Sequence, residues 1–435
     1  MTQRARPLQV AVAFVLLLVA TAVVVVVRRD SDEPCGAARR LAAHSPLLDV
    51  DGMAGQPDER LDALATSVNA MRAPFGPVRA GVGFDYDQWL HLYGVPGGVL
   101  AWTKNNAPVT FLDGTDLAPR WSLRPATKRT AWDVVGRKFL LLDLSATRPT
   151  KVAAYDLGTG REAWCTTVTS KQRDGDPVGT TSVVGGDVVT AFRSGSRIRL
   201  TRLDADDGTR HWQRDVAGAD RADFLGPVPG HLFVVGGTEE YRLAQADPKA
   251  PGGPVVSAYT TGHGATRWSW SVPAGTVAHV VGLDYDRPVV MVRTATGTEL
   301  VGLSSTGTEQ WRTPLRAGSY QATLRGSVVL TRSAGGLNAY DSSTGKRLWR
   351  RAVPTDRTYF PYGFTLDQMP SLDQTHLLVP TTTDLQVLDL LTGRSRTYPL
   401  PVDGLSTTYW PYQLLVTEHL LGVVTNTGGI VADRE

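Results

Sequence analysis

An eleven-residue pattern, A-x-D-x-x-T-G-x-x-x-W in its fullest form, recurs along the chain and limits the fold more than any other feature of the sequence. Six copies align without gaps: Phe111 to Trp121 (FLDGTDLAPRW), Ala154 to Trp164 (AYDLGTGREAW), Arg202 to Trp212 (RLDADDGTRHW), Ala258 to Trp268 (AYTTGHGATRW), Val301 to Trp311 (VGLSSTGTEQW) and Ala339 to Trp349 (AYDSSTGKRLW). A seventh, Val387 to Thr397 (VLDLLTGRSRT), keeps Asp389 and Thr392-Gly393 but has lost the tryptophan. Successive final positions lie 43, 48, 56, 43, 38 and 48 residues apart. A period of this size suits one four-stranded blade per repeat. The chain is therefore expected to be all-β and to form a β-propeller as one large unit, although 435 residues would ordinarily suggest two or three domains.

Each part of the pattern has a mechanical role. Asp at the third position (Asp113, Asp156, Asp204, Asp341, Asp389) can accept backbone N–H groups of the turn that follows. Gly at the seventh (Gly160, Gly208, Gly264, Gly307, Gly345, Gly393) takes a positive φ at no steric cost, so the hairpin closes. The next strand is expected to end in the tryptophan. Trp121, Trp164, Trp212, Trp268, Trp311 and Trp349 are thus the candidate docking residues, one ring per blade wedged between neighbouring sheets. A buried Trp removes roughly 150–250 Å² from water, worth about 4–6 kcal/mol at ~25 cal/mol/Å². Between the motifs lie apolar, β-branched segments expected as inner strands: Lys138–Asp143, Asp187–Phe192, His231–Gly236, Pro288–Arg293, Ser327–Arg332 and His376–Pro380.

The ends of the chain set the blade count. His91–Val95 and Val99–Thr103 read as strands that complete the blade ending near Trp121. After the seventh motif, Tyr412–Val416, His419–Val424 and Gly429–Ala432 supply three strands and no fourth. A segment at about Val78 to Tyr86 is expected to complete that blade from the other end of the chain, which removes the exposed edges of an open sheet. Eight blades fit this count better than seven.

In this pattern the chain resembles the tryptophan-docking repeat of quinoprotein-type, PQQ-like β-propellers, over about residues 80 to 435. In quinoprotein dehydrogenases, the resemblance implies, a cofactor sits on the propeller axis beneath a disulfide between adjacent cysteines, beside a metal held by Glu, Asn and Asp. Here the two cysteines, Cys35 and Cys165, are 130 positions apart, so that lid cannot be built. No cofactor and no enzymatic activity are expected. The resemblance also extends to envelope-assembly lipoproteins that grip partner proteins with a propeller's rim loops, and a non-catalytic scaffold binding another envelope protein or ligand is the function it implies. A quinoprotein oxidoreductase and a small-molecule or glycan sensor are the alternatives.

The N-terminal region carries a separate signal. Leu8 to Val27 is an apolar run interrupted only by Gln9 and Thr21, and at a rise of about 1.5 Å per residue it covers the ~30 Å hydrocarbon core. A cleaved signal would have a shorter apolar stretch, and cleavage after Ala20-Thr21-Ala22 would leave five valines at the new terminus. An uncleaved anchor explains the run better. The expected organisation is a cytoplasmic tail (1–7), a transmembrane anchor (8–27), a juxtamembrane stalk (28–75) and an extracytoplasmic propeller (76–435). Within the stalk, Leu61, Leu64, Val68 and Met71 share one helical face, as a short packed helix requires. Outside the cytoplasm, Cys35 and Cys165 can pair and tie the stalk to the propeller, or remain free thiols.

Other chemistries find little support. The net charge of +3 is the balance of 45 basic and 42 acidic residues scattered along the chain, without the basic cluster that nucleic-acid binding needs. The eight histidines show no metal-binding spacing, and no nucleophile elbow or phosphate loop is present. Asp85-Tyr86-Asp87 and Asp284-Tyr285-Asp286 read as solvated turns, Asp204 to Gly208 lacks the calcium-loop spacing, and His211 and His263 fall on blade surfaces. The candidate contact patch is aromatic: Tyr359, Phe360 and Tyr362, with Tyr409, Trp410 and Tyr412 repeating the aromatic–proline pattern one blade later.

Overall fold

The computed structural model describes residues 35–434 apart from 50–74, 84–89, 104–107, 127–129, 144–149, 170–180, 185, 195–196, 218–221, 229–230, 237–251, 317, 319–320, 334–335, 353–365, 367–368, 370, 381–383, 400–410 and 426–427. The segment 8–27 and the helix expected at Leu61–Met71 lie outside the described residues. Among the described residues no helix is long and apolar enough to cross a membrane.

The described strands form eight antiparallel sheets, one per blade. Blade 1 runs through Leu90–Val95, Gly98–Thr103, Val109–Asp113 and Pro119–Pro125, and blade 2 through Thr130–Val135, Lys138–Asp143, Thr150–Asp156 and Glu162–Thr169. Blades 3 to 6 repeat this meander, starting at Thr181, Ala222, Val277 and Gln321. Blade 7 has three described strands, from His376 to Pro399, with a single bridge, Ser371 to Leu377, on the side where a first strand would run. Among the described residues, first strands touch between blades 2 and 3, 3 and 4, 4 and 5, 5 and 6, and 8 and 1, and so face the axis. The apolar segments expected as inner strands are the second strands of blades 2 to 6, flanked on both sides, and in blade 7 the first described strand, His376–Pro380. They are buried because each is sheet interior in two directions: Leu140, Val189, Val290 and Val329 have no exposed surface.

Blade 8 is made from both ends of the chain. Pro411–Val416, Leu420–Thr425 and Gly428–Arg434 are completed by Phe75–Gly83, which pairs with Gly428–Arg434 in register Ala80 to Val431 and Val82 to Gly429. The closing strand begins three residues before the expected segment. Arg79 adds a surface ion pair to Asp433 across the closure, at 2.8 Å.

Consecutive blades are joined by the motif tryptophans. Each is the third residue of its blade's last strand, not its end as expected, because that strand runs on for several residues. A register shift in front of it aims the ring at the next blade. There the indole N–H donates to a turn carbonyl: Trp121 to Leu157 (2.7 Å), Trp164 to Ala205 (2.9 Å), Trp212 to Thr261 (2.7 Å), Trp268 to Ser305 (2.9 Å), Trp311 to Ser342 (3.0 Å) and Trp349 to Leu390 (2.8 Å). The accepting carbonyl sits two or three residues before the motif glycine of that blade, and the ring lies on the glycine itself. Gly160 has φ 63°, and a Cβ there would stand 2.5 Å from Trp121 Cγ. The glycine is thus required twice, for the turn and for the approach of the preceding blade's ring. Burial is graded: Trp121 and Trp164 are 1% and 6% exposed, whereas the other four are half-buried, so full-burial energies apply only to the first two.

The motif aspartates cap the turns. Thr159 donates its hydroxyl and its N–H to Asp156 Oδ1, both at 2.8 Å, and Thr392 N–H donates to Asp389 Oδ1 at 2.8 Å. These bonds hold both carboxyls below the usual carboxylate range, with the Thr159 hydroxyl the largest cause at Asp156 and the Thr392 N–H at Asp389.

Three outcomes are expected. Trp121→Ala lowers unfolding free energy by about 3–5 kcal/mol, and Trp349→Ala by less, when both are read in urea titrations. Gly160→Ala destabilises by more than the ~1 kcal/mol typical of single substitutions, since both the φ and the indole oppose it. A carboxyl whose folded pKa is lowered contributes stability above its unfolded value of about 3.9 and loses it as pH falls through the folded value. Melting temperature should therefore drop below about pH 4, with Asp156→Asn flattening part of that drop.

Candidate interaction surface

The segment expected as a stalk is in part built into the propeller. Ala38–Leu41 pairs with the last strand of blade 1 as a fifth strand, in register Arg40 to Leu123, and Leu48–Asp49 pairs with the closing strand of blade 8. Just before them, Cys35 is disulfide-bonded to Cys165 in the last strand of blade 2, with Cα atoms 5.7 Å apart. The Cys35 N–H donates to the Glu162 carboxylate at 3.1 Å, and Lys151 Nζ donates to the Cys35 carbonyl at 3.0 Å. Residues 35–49 therefore strap blades 2, 1 and 8 together from outside.

The strap lies where the docking pattern fails. The seventh position of the first motif is Leu117, at φ 56°, where the other six copies have glycine. No tryptophan reaches it, because blade 8's closing strand FGPVRAGVG contains none. Leu117 instead packs with Ala80 of that strand and with Leu47 of the strap, each below a tenth exposed. The complementary gap is at blade 7, whose motif ends in Thr397 rather than Trp. Blade 8 takes its third and fourth strands from opposite ends of the chain, so it has no hairpin turn for such a ring to meet. Across that junction Arg434 donates to the Leu372 carbonyl at 2.7 Å.

Two surfaces remain open. On the face carrying the motif turns, Tyr285 sits at the tip of a blade 5 hairpin at φ 61° and is 86% exposed. Below it Asp284 accepts from Arg287 and from the Ser342 hydroxyl of blade 6, both at 2.7 Å. A cavity of about 170 Å³ opens beside it, lined among others by Asp286, Arg287, Ser304, Gln310, Trp311 and Ser343. Tyr285 and Asp286 form the expected turn, but Asp284 is not solvated: it ends the strand Val277–Asp284, its side chain is 14% exposed, and it is held by Arg287 and Ser342. The second is a partly buried aromatic group on the first two strands of blade 1 and the first strand of blade 2: Tyr93 meets Trp132 edge-on at 4.6 Å, and Trp102 stands 6.5 Å from Trp132. The group is not apparent from sequence, because Tyr93 and Trp102 of blade 1 meet Trp132 of blade 2 only through the packing of the two sheets.

Of the expected aromatic patch, Tyr359, Phe360, Tyr362, Tyr409 and Trp410 lie outside the described residues, and Tyr412 belongs to the first strand of blade 8. The cysteine geometry also bears on an axial cofactor. Both cysteines are used at the outer strands, where their bond faces the strap, and no adjacent pair is left to cover the axis. The residues present do not fit the quinoprotein lid.

Replacing Cys165 with Ser is expected to lower stability by about 2–4 kcal/mol, measured as a shift in denaturant midpoint. A reducing agent should reproduce that shift in the parent and leave the variant unmoved.

Comparison with solved structures supports the fold. The Dos1 propeller is similar at TM-score 0.54 and 8% identity, covering 84% of this chain and 96% of that one. The quinohemoprotein alcohol dehydrogenase ADHIIG from Pseudomonas putida HK5 gives TM-score 0.50 at 11% identity, over 81% and 75%. BamB from Moraxella catarrhalis gives 17% identity at TM-score 0.47, over 82% of this chain and 99% of that one. No curated protein sequence matches the chain. The family described as outer membrane protein assembly factor BamB matches residues 84–250 and again 252–398, most of the propeller, and the chain belongs to that family.

Proposed function

We propose that this protein is a membrane-anchored, extracytoplasmic scaffold that binds another protein of the cell envelope and catalyses no reaction. The observation that carries the reading is the commitment of the repeated residues. Motif aspartates cap turns, motif glycines receive rings, motif tryptophans join blades, and both cysteines hold the strap. What remains to vary is the turn face and the rim, where a rigid ring presents loops for recognition. The family description supplies the setting, assembly of membrane proteins. The apolar run 8–27 supplies the anchor, placed eight residues ahead of the strap's cysteine. Tyr285 is the contact residue of first choice, since exposed aromatics supply binding energy at little entropic cost.

Two experiments test this. A photo-crosslinker at Tyr285 in cells should trap one envelope protein in a discrete adduct, and Tyr285→Ala should weaken co-purification of that protein. An even smear, or no adduct from Tyr285 or from neighbouring turn positions, would sink the assignment of this face. In parallel, the purified chain titrated with pyrroloquinoline quinone and calcium should keep its melting temperature and reduce no dye with alcohols or sugars. A tight complex with dye reduction would make it an oxidoreductase.

A further inference from the structure

We propose that Asp187, Asp204 and His211 of blade 3 form a binding site for one divalent transition-metal ion, zinc being the representative. They come from three adjacent strands of one sheet, and among the described residues they are the grouping whose ligand atoms converge. His211 Nε2 stands 3.7 Å from Asp187 Oδ1 and 3.6 Å from Asp204 Oδ2. Tetrahedral zinc with N and O ligands at about 2.0–2.2 Å needs ligand atoms roughly 3.3–3.6 Å apart; the two His211 separations are close to this, and all three ligand atoms lie within 4.8 Å of one another. Three protein ligands and one water complete the coordination.

Each carboxylate is oriented by one oxygen and offers the other. Asp187 Oδ2 is held by the Arg202 guanidinium, which also donates to the Thr261 carbonyl of blade 4. Asp204 Oδ1 takes the N–H groups of Asp206 and Asp207 at 2.8 and 3.3 Å. That is the outer-shell support that metal ligands ordinarily have. Asp187 has a side chain only 12% exposed, whereas His211 at 39% leaves a path from solvent.

Register supplies an independent reason for a cation. Asp187 and Asp204 are direct cross-strand partners, and like charges placed opposite one another destabilise a sheet. Blade 1 shows the alternative solution. There Asp113 faces Gly98 across the strands, and its motif arginine, Arg120, closes on it at 2.9 Å. In blade 3 the glycine's place is taken by Asp187 and the arginine's by His211. A second carboxylate and an imidazole together replace an ion pair by a ligand set. Arg202 neutralises one of the two carboxylates, which leaves the charge of the other to attract the ion.

This site was not legible in the sequence, which placed His211 on a blade surface and dismissed Asp204 as a turn cap. Both descriptions hold. The missing element was Asp187, which lies in the preceding strand and meets the others only through pairing.

The test uses the full-length purified chain, freed of metal by chelation. Titration with Zn²⁺ should show one saturable equivalent and a rise in melting temperature, as any ligand bound only by the folded state requires. Co²⁺ should give the visible bands of a four-coordinate ion. His211→Gln, at a half-exposed position, should keep the metal-free melting temperature and lose affinity by at least about 10- to 100-fold. Asp187→Asn should also lose affinity, with a lower metal-free melting temperature because Arg202 loses its charged partner, and His376→Gln in blade 7 should leave the affinity unchanged. No saturable equivalent in the parent, or equal affinity in His211→Gln, would overturn the site. Its failure leaves the scaffold reading intact, because that reading rests on other residues.

Discussion

One contact repeats around this ring and everything else is arranged to permit it: an indole lies on the glycine of the next blade's turn and donates its N–H to that turn's backbone. Blade-to-blade packing of sheets alone is non-directional, since the hydrophobic effect scales with area and not with angle. The tryptophan adds direction. Its ring fixes how far one sheet slides along the next, and its buried donor is satisfied only at one carbonyl. A turn with any side chain at the glycine would push the ring away, so the turn and the inter-blade geometry are specified by the same atom's absence. Thr166 and Thr313 reinforce the dock, each donating its hydroxyl to the carbonyl of the glycine that the ring covers, at 2.7 and 2.8 Å.

A closed ring of such docks meets a topological difficulty at its seam. The docking turn joins the third and fourth strands of a blade, and in blade 8 those strands come from opposite ends of the chain. The seam blade therefore can neither receive a ring from blade 7 nor send one to blade 1 from a strand outside the repeat. Both losses are visible as sequence irregularities: Thr397 where a tryptophan belongs, and Leu117 where a glycine belongs. Leu117 can carry its side chain because no indole approaches, and the space is filled by Leu47 and Ala80. The strap, with its two added strands and its disulfide, spans the same seam.

Much of this was legible from the repeat. The strand order, the closing strand and the docking residues follow from a motif in which each position has one mechanical use. Strands such as Lys138–Asp143 and His231–Gly236 were legible to the residue because they are apolar runs between turn signals. What was not legible depends on pairing between distant segments. The motif showed that a tryptophan docks, but not on which glycine. Ala38–Leu41 carries two arginines and no alternating pattern, so nothing local marks it as a strand. It is one because the last strand of blade 1 offers an unpaired edge, and the cysteine three positions earlier fixes it there.

The same reasoning separates fold from function in this molecule. Positions repeated in every blade are explained by the ring, and an explained position says nothing about a ligand. Information about function has to come from departures that the ring does not require. Leu117 and Thr397 are departures that the seam explains. Tyr285 is a different kind: a non-glycine residue at positive φ whose ring makes no use of the strain, being almost fully in solvent. Backbone strain at an exposed aromatic is not needed by any neighbouring blade, and the hairpin could have ended in glycine or asparagine at lower cost. The ring of blades does not explain this strain, and that is the reason the proposed contact is assigned to the turn face beside blades 5 and 6.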